Sequence, residues 1–93
     1  MSSSFEHLSN DTLAKIKGFG IKSKSVYKAF RQSCRMLNTY LEENGLEFSL
    51  ESGQKWLLEI RPEPMTYSQY VTYSAWRRAV FMLAECQDGT LDS

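Results

Sequence analysis

Residues 23–45 read SKSVYKAFRQSCRMLNTYLEENG, the longest uninterrupted helical pattern in the chain. Val26, Phe30, Cys34, Leu37 and Leu41 recur at spacings of four, four, three and four, which places them on one helical stripe. Lys24, Lys28, Arg31 and Arg35 recur at four, three and four on another stripe, roughly 130° away around the axis. One face is therefore fit to enter a core, while the other presents four cations along about 16 Å of helix. Ser23 stands where an N-cap is expected, and Asn44-Gly45 is a C-terminal stop.

Working outward, the segment before this helix is polar to about Asn10. It then offers a short helix from about Asp11 to Lys17, capped by Ser9 or Asn10, with Leu13 and Ile16 as its inner side. Gly18 and Gly20 end it. Beyond Gly45, a third helix is expected after Ser49, with Leu50, Trp56, Leu57 and Ile60 inward, closed by Pro62 and Pro64. Thr66 or Ser68 opens a last helix that runs to about Gln87, with Tyr73, Trp76, Val80 and Leu83 on its apolar side. No segment alternates as a strand does. The expected class is all-α, one short helix and three longer ones. The expected division is a flexible N-terminal arm over 1–10, a helical domain over 11–88 and the start of a linker over 89–93.

Ninety-three residues suit one small domain, and 42% hydrophobic with 13% aromatic residues is a globular composition. No run approaches the roughly 18 apolar residues of a membrane span. Cys34 and Cys86 both fall within helical patterns, and two free buried thiols in a reducing cytosol are favoured over a disulfide. The formal net charge is zero, unlike that of a simple basic DNA-binding protein. Its distribution is uneven. Residues 1–40 hold seven lysines or arginines against two carboxylates, a net +5, whereas 41–64 hold two against six, a net −4. Such polarity can steer an anionic partner despite a neutral total.

Catalytic constellations are missing from the pattern. His7 is the only histidine and has no cysteine or carboxylate at ligand spacing. GFGIKSKS, residues 18–25, lacks the spacing and the preceding strand of a phosphate loop. Glu42, Glu43, Glu47 and Glu51 are a solvated acidic run without the central glycine of a calcium loop. No cofactor and no metal are expected. The cationic stripe is the one chemical signal. Lys22 and Lys24 sit at a helix start, where the macrodipole disfavours cations, and an anion at that place would offset the cost. Ser23 and Ser25 add hydroxyl donors there. The alternative is a solvated helix face that carries lysines for solubility.

Three stretches, IKSKSVYKAFRQSCRMLNTYLEENGLEFS (21–49), WLLEI (56–60) and TYSQYVTYSAWRRAVFMLAE (66–85), resemble the N-terminal core-binding domain of phage-integrase-type tyrosine recombinases. The likeness runs over about residues 11–88 and includes the aromatic-Arg-Arg-Ala segment at Trp76, Arg77, Arg78 and Ala79. The resemblance implies a SAM-like orthogonal four-helix bundle that binds double-stranded DNA without catalysing anything. In that family the domain acts in DNA integration and recombination, clamping a half-site together with a separate catalytic domain of the same parent chain and with other recombinase protomers. It also implies a bacterial or phage-encoded cytoplasmic protein with no membrane partner. By position it assigns to DNA Lys22, Lys24, Ser25, Lys28, Arg31 and Arg35 on and before the second helix. On the fourth it assigns Thr66, Tyr67, Ser68, and Arg77 or Arg78. Helical phase separates the last two: Arg77 falls among Tyr70, Tyr73 and Val80 as a half-buried strut over aromatic rings or paired with a glutamate of the second helix, and Arg78 is the better candidate for phosphate. A helical protein-interaction module without nucleic acid, using the polarised charge head to tail, is the competing expectation.

Overall fold

The computed structural model describes residues 3–91, so residues 1–2 of the expected arm and 92–93 of the expected linker lie outside the described residues. Four helices follow in order: α1 (Ser3–Gly18), α2 (Lys24–Asn44), α3 (Leu50–Ile60) and α4 (Tyr67–Asp88). No strand occurs among the described residues, and the all-α class is as expected.

The ends of α2, α3 and α4 follow their local chemistry. Ser49 and Ser52 form a capping box at α3, each side chain bonding the other's backbone N–H at 3.1 and 2.8 Å. Thr66 and Gln69 do the same at α4, at 3.3 and 2.9 Å. Gly45 ends α2 in the left-handed conformation, φ 61°, and Leu46 N–H reaches back to the Leu41 carbonyl at 2.9 Å.

The first helix differs from expectation. It starts at Ser3, so residues 3–10, expected within a flexible arm, are helical, and α3 with its 11 residues is the short helix. The cause is tertiary: Phe5 is buried, its ring centroid 5.5 Å from that of Phe48 in the loop before α3. Ser9 is mid-helix, donating its hydroxyl to the Phe5 carbonyl at 3.0 Å instead of capping. At the other end, residues 89–91 fold back on α4. Thr90 and Leu91 both donate N–H groups to the Glu85 carbonyl, and Leu91 is buried.

The core joins Ile16, Phe30, Leu37, Leu41, Trp56, Leu57, Val80 and Leu83, as the apolar stripes foretell. Each such side chain contributes roughly 1.5–3 kcal/mol by burial. Cys34 is buried, Cys86 is half-buried, and both thiols are free. Leu50, expected inward, is 38% exposed because it starts α3 at the edge of its inner face. Trp76 is half-buried, with its ring centroid 6.1 Å from that of Trp56. The helix α4 packs against each of the other three. Its crossing with α3 is close at Gly53, where a Cβ would stand 2.6 Å from Val80 Cγ1. Two longer-range bonds brace the bundle: the Tyr73 hydroxyl donates to the Leu57 carbonyl at 2.9 Å, and Gln87 Nε2 to the Phe48 carbonyl at 3.0 Å.

Candidate nucleic-acid interface

The helices α1 and α2 run antiparallel, since Lys17 near the end of α1 meets Tyr27 near the start of α2, while the earlier Ser9 bonds the later Cys34. Residues 19–23 join them, turning at Gly20, whose φ of 81° suits glycine. The Tyr27 hydroxyl donates to the Ile21 carbonyl, which ties this connection to the start of α2. From the end of α1, Lys17 Nζ stands 5.9 Å from the centroid of the Tyr27 ring.

This closure creates an open depression of about 680 Å³ beside α2. Lys17 contributes from α1; Lys24, Lys28, Arg31 and Arg35 contribute from α2, with Tyr27 and Gln32 between them. Five cations line it and no carboxylate does. All five are exposed, and none forms an ion pair among the described residues. Like charges at i,i+4 each cost a few tenths of a kcal/mol, and α2 carries no acidic residue in its first turn to ease the macrodipole. The arrangement is unfavourable by itself and becomes favourable when a polyanion supplies the opposite charge. Arg31 and Arg35 also border the neighbouring α1–α2 crevice, which Glu6 and Glu42 line too.

The remaining residues singled out by sequence are placed around this depression, not in it. Lys22 is exposed on the connection before α2. Ser23 occupies the N-cap position with extended backbone, but its hydroxyl makes no cap bond and lies 2.8 Å from the Ser25 hydroxyl. Ser25 and Arg78 share a small crevice of about 190 Å³ between α2 and α4, beside Val26 and Met82. Arg78 therefore lies close to the start of α2. Arg77 is exposed, with its guanidinium carbon 6.0 Å from the centroid of Phe81, not half-buried over Tyr70 or Tyr73. The correction follows from helix geometry, because Phe81 is its i+4 neighbour.

At the start of α4 the Thr66 hydroxyl is engaged in the capping box, and the Ser68 carbonyl accepts from the Thr72 hydroxyl at 3.1 Å. Tyr67 is 82% exposed. Ten residues of helix, about 15 Å, separate Ser68 from Arg78, and Thr66, Tyr67 and Ser68 do not line the depression of the α2 cations.

Among the described residues two groups have clearly shifted titrations, and neither belongs to the cationic depression. Burial pushes the Cys34 thiol up from 9.0 to about 11, partly opposed by a hydrogen bond with Ser9. Desolvation raises the Tyr40 phenol, helped by the adjacent Glu59 carboxylate. No group of three or more histidine, cysteine, aspartate or glutamate side chains suited to a metal ion occurs among the described residues. No helix of these residues is long and apolar enough to cross a membrane.

Sequence periodicity locates the four α2 cations but misses Lys17, Tyr27 and Gln32. Tyr27 was detectable, since it lies three residues after Lys24 and four before Arg31, within the same stripe. Gln32 adjoins Arg31 on a neutral side chain that carries no pattern. Lys17 reaches the site only through the α1–α2 turn, which no local spacing encodes. No protein-family model matches the chain, and neither a curated protein nor a solved structure does.

Proposed function

We propose that the chain is a non-catalytic DNA-binding domain, of the kind that tyrosine recombinases use to hold duplex DNA at a recombination half-site. The observation that carries this reading is the depression with five unpaired cations and no carboxylate, drawn from two helices. Lysines and arginines placed in this way neutralise phosphates and release condensed counterions. The family resemblance at residues 21–49 and 66–85 supports the recombinase setting, and Arg78 beside Ser25 gives α4 a cation near the same end of α2.

Affinity for a random duplex, measured against salt concentration, tests the DNA reading. Five phosphate contacts give a slope of log K against log salt of about −4.5. Absence of binding at about 10 mM ionic strength, where screening is weakest, refutes it. The recombinase setting has a separate test in the genomic sequence that follows this stretch. An encoded Arg, His and Tyr catalytic domain is expected there, and a stop codon in its place removes the recombinase while leaving DNA binding intact.

A further inference from the structure

The antiparallel hairpin of α1 and α2 separates charge along its length. Its closed end carries Lys17, Lys24, Lys28, Arg31 and Arg35 around one depression. Toward its open end the surface turns acidic: Asp11 and Glu47 border a depression with Gln87, and Glu43 is exposed at the end of α2. Gln87 is bonded to the Phe48 carbonyl, so the end of α4, with exposed Glu85 and Asp88, closes on the same loop. These two ends oppose each other in sign, while other charges are interspersed, as Lys55 and Glu51 are at 3.7 Å.

We infer that the cationic depression has a second occupant, the acidic end of another copy of this chain. The two ends are complementary in sign and lie on different parts of the surface. The contact is therefore heterologous, and repeating it adds copies head to tail in place of closing a two-fold dimer. Each end also exposes an apolar side chain: Ile21, whose carbonyl accepts from Tyr27 at the depression, and Leu46, beside Glu47, are each 37% exposed. Burial of the two against each other would add a short-range term to a contact that charge alone would leave weak. Nucleic acid and the acidic end then compete for one surface, a clause that rests on the proposed function; the self-contact itself does not.

Mass by light scattering or sedimentation, across protein concentration and salt, tests the inference. The expected result is a weight-average mass that rises with concentration to at least about twice the monomer at roughly 10 mM ionic strength, where the Debye length is about 30 Å. Near 1 M salt, where that length is about 3 Å, it should return to 10.7 kDa. Two variants divide the surfaces: Lys24→Glu with Lys28→Glu at one end, and Asp11→Lys, Glu43→Lys and Glu47→Lys at the other. Each alone should stay monomeric at low salt. Their equimolar mixture should associate, because each retains the surface the other has lost, and this recovery also shows that both are folded. A wild-type chain that stays monomeric at low salt overturns the inference, as does association that salt does not dissolve or a mixture that remains monomeric. Duplex binding by a chain that never self-associates would sink this inference alone. Self-association without duplex binding would sink the proposed function alone.

Discussion

Lys17 Nζ, at the end of α1, lies over the ring of Tyr27 in the first turns of α2, 5.9 Å from its centroid. This cross-helix contact adds a fifth cation to the four on α2 and holds it on the same side of the molecule. Lys17→Ala should cost no more than about 1 kcal/mol of stability, the scale of an exposed cation–π pair. It should also flatten the salt dependence of duplex binding by about 0.9 in slope, one phosphate contact. An unchanged slope would place Lys17 outside the interface.

The α2 stripe makes a larger version of the same claim. Lys24→Ala, Lys28→Ala and Arg31→Ala combined should weaken binding to all duplex sequences about equally and lower the slope by about 2.7. The melting temperature should barely move, because all three side chains are exposed. A triple variant with wild-type affinity and slope would return these residues to a solvated surface.

Leu37 lies at the centre of the α2 apolar stripe, 1% exposed. Truncation to alanine leaves a cavity between helices, so Leu37→Ala should lose about 2–5 kcal/mol in denaturant melts. A loss below about 0.5 kcal/mol would contradict the phase of α2.

Gly53 answers to a different constraint. Alanine is the better helix former by about 1 kcal/mol, so propensity alone predicts stabilisation. The new Cβ, however, would stand 2.6 Å from Val80 Cγ1, on a fully buried and rotamerically stiff side chain. Overpacking of this kind costs about 1–3 kcal/mol. Gly53→Ala should be neutral to destabilising, by up to about 2 kcal/mol, and Gly53→Ala with Val80→Ala should recover part of that loss through coupling. A more stable single variant would show that α3 can shift off α4 freely.

The buried Cys34 thiol gives the fold an alkaline limit. Its folded value is raised, so its contribution to stability is whole below pH 9.0 and drains away as pH rises toward about 11, the unfolded thiol ionising first. About 2 kcal/mol is at stake, and Cys34→Ala should lose less stability than the wild type between pH 8.5 and pH 11. Parallel pH profiles for the two proteins would refute the assignment. In native protein the same thiol should alkylate far more slowly than in denaturant.

The sequence showed the parts of the fold in which local pattern and tertiary burial agree. The α2 stripe, the Ser49 and Thr66 starts and the Gly45 stop each depend on residues within one helical turn, and all stand where expected. The first half of α1 was hidden because SSFEHLSN has only two apolar residues, Phe5 and Leu8, too few to set a period, and Phe5 is held by meeting Phe48. Leu50 misled because a helix's first residue has only part of a turn to fix its direction. The candidate site divides in the same way: four cations follow from spacing along one helix, while Lys17 and the bordering carboxylates depend on how two helices are brought together.

The last of the four helices touches all the others, as α2 also does, but each pairing with α4 is more extensive than any among α1, α2 and α3. A ribosome exposes α1, α2 and α3 before their most extensive partner exists. Val80 and Leu83, which fill the centre, arrive only with α4. The nascent chain can form its hairpin of α1 and α2 early, but the side chains that meet α4 must wait exposed until it emerges. Cooperative folding of the bundle is thereby deferred until α4 emerges, and a ribosome stalled before residue 80 should hold a chain that a protease cuts readily and a chaperone recognises.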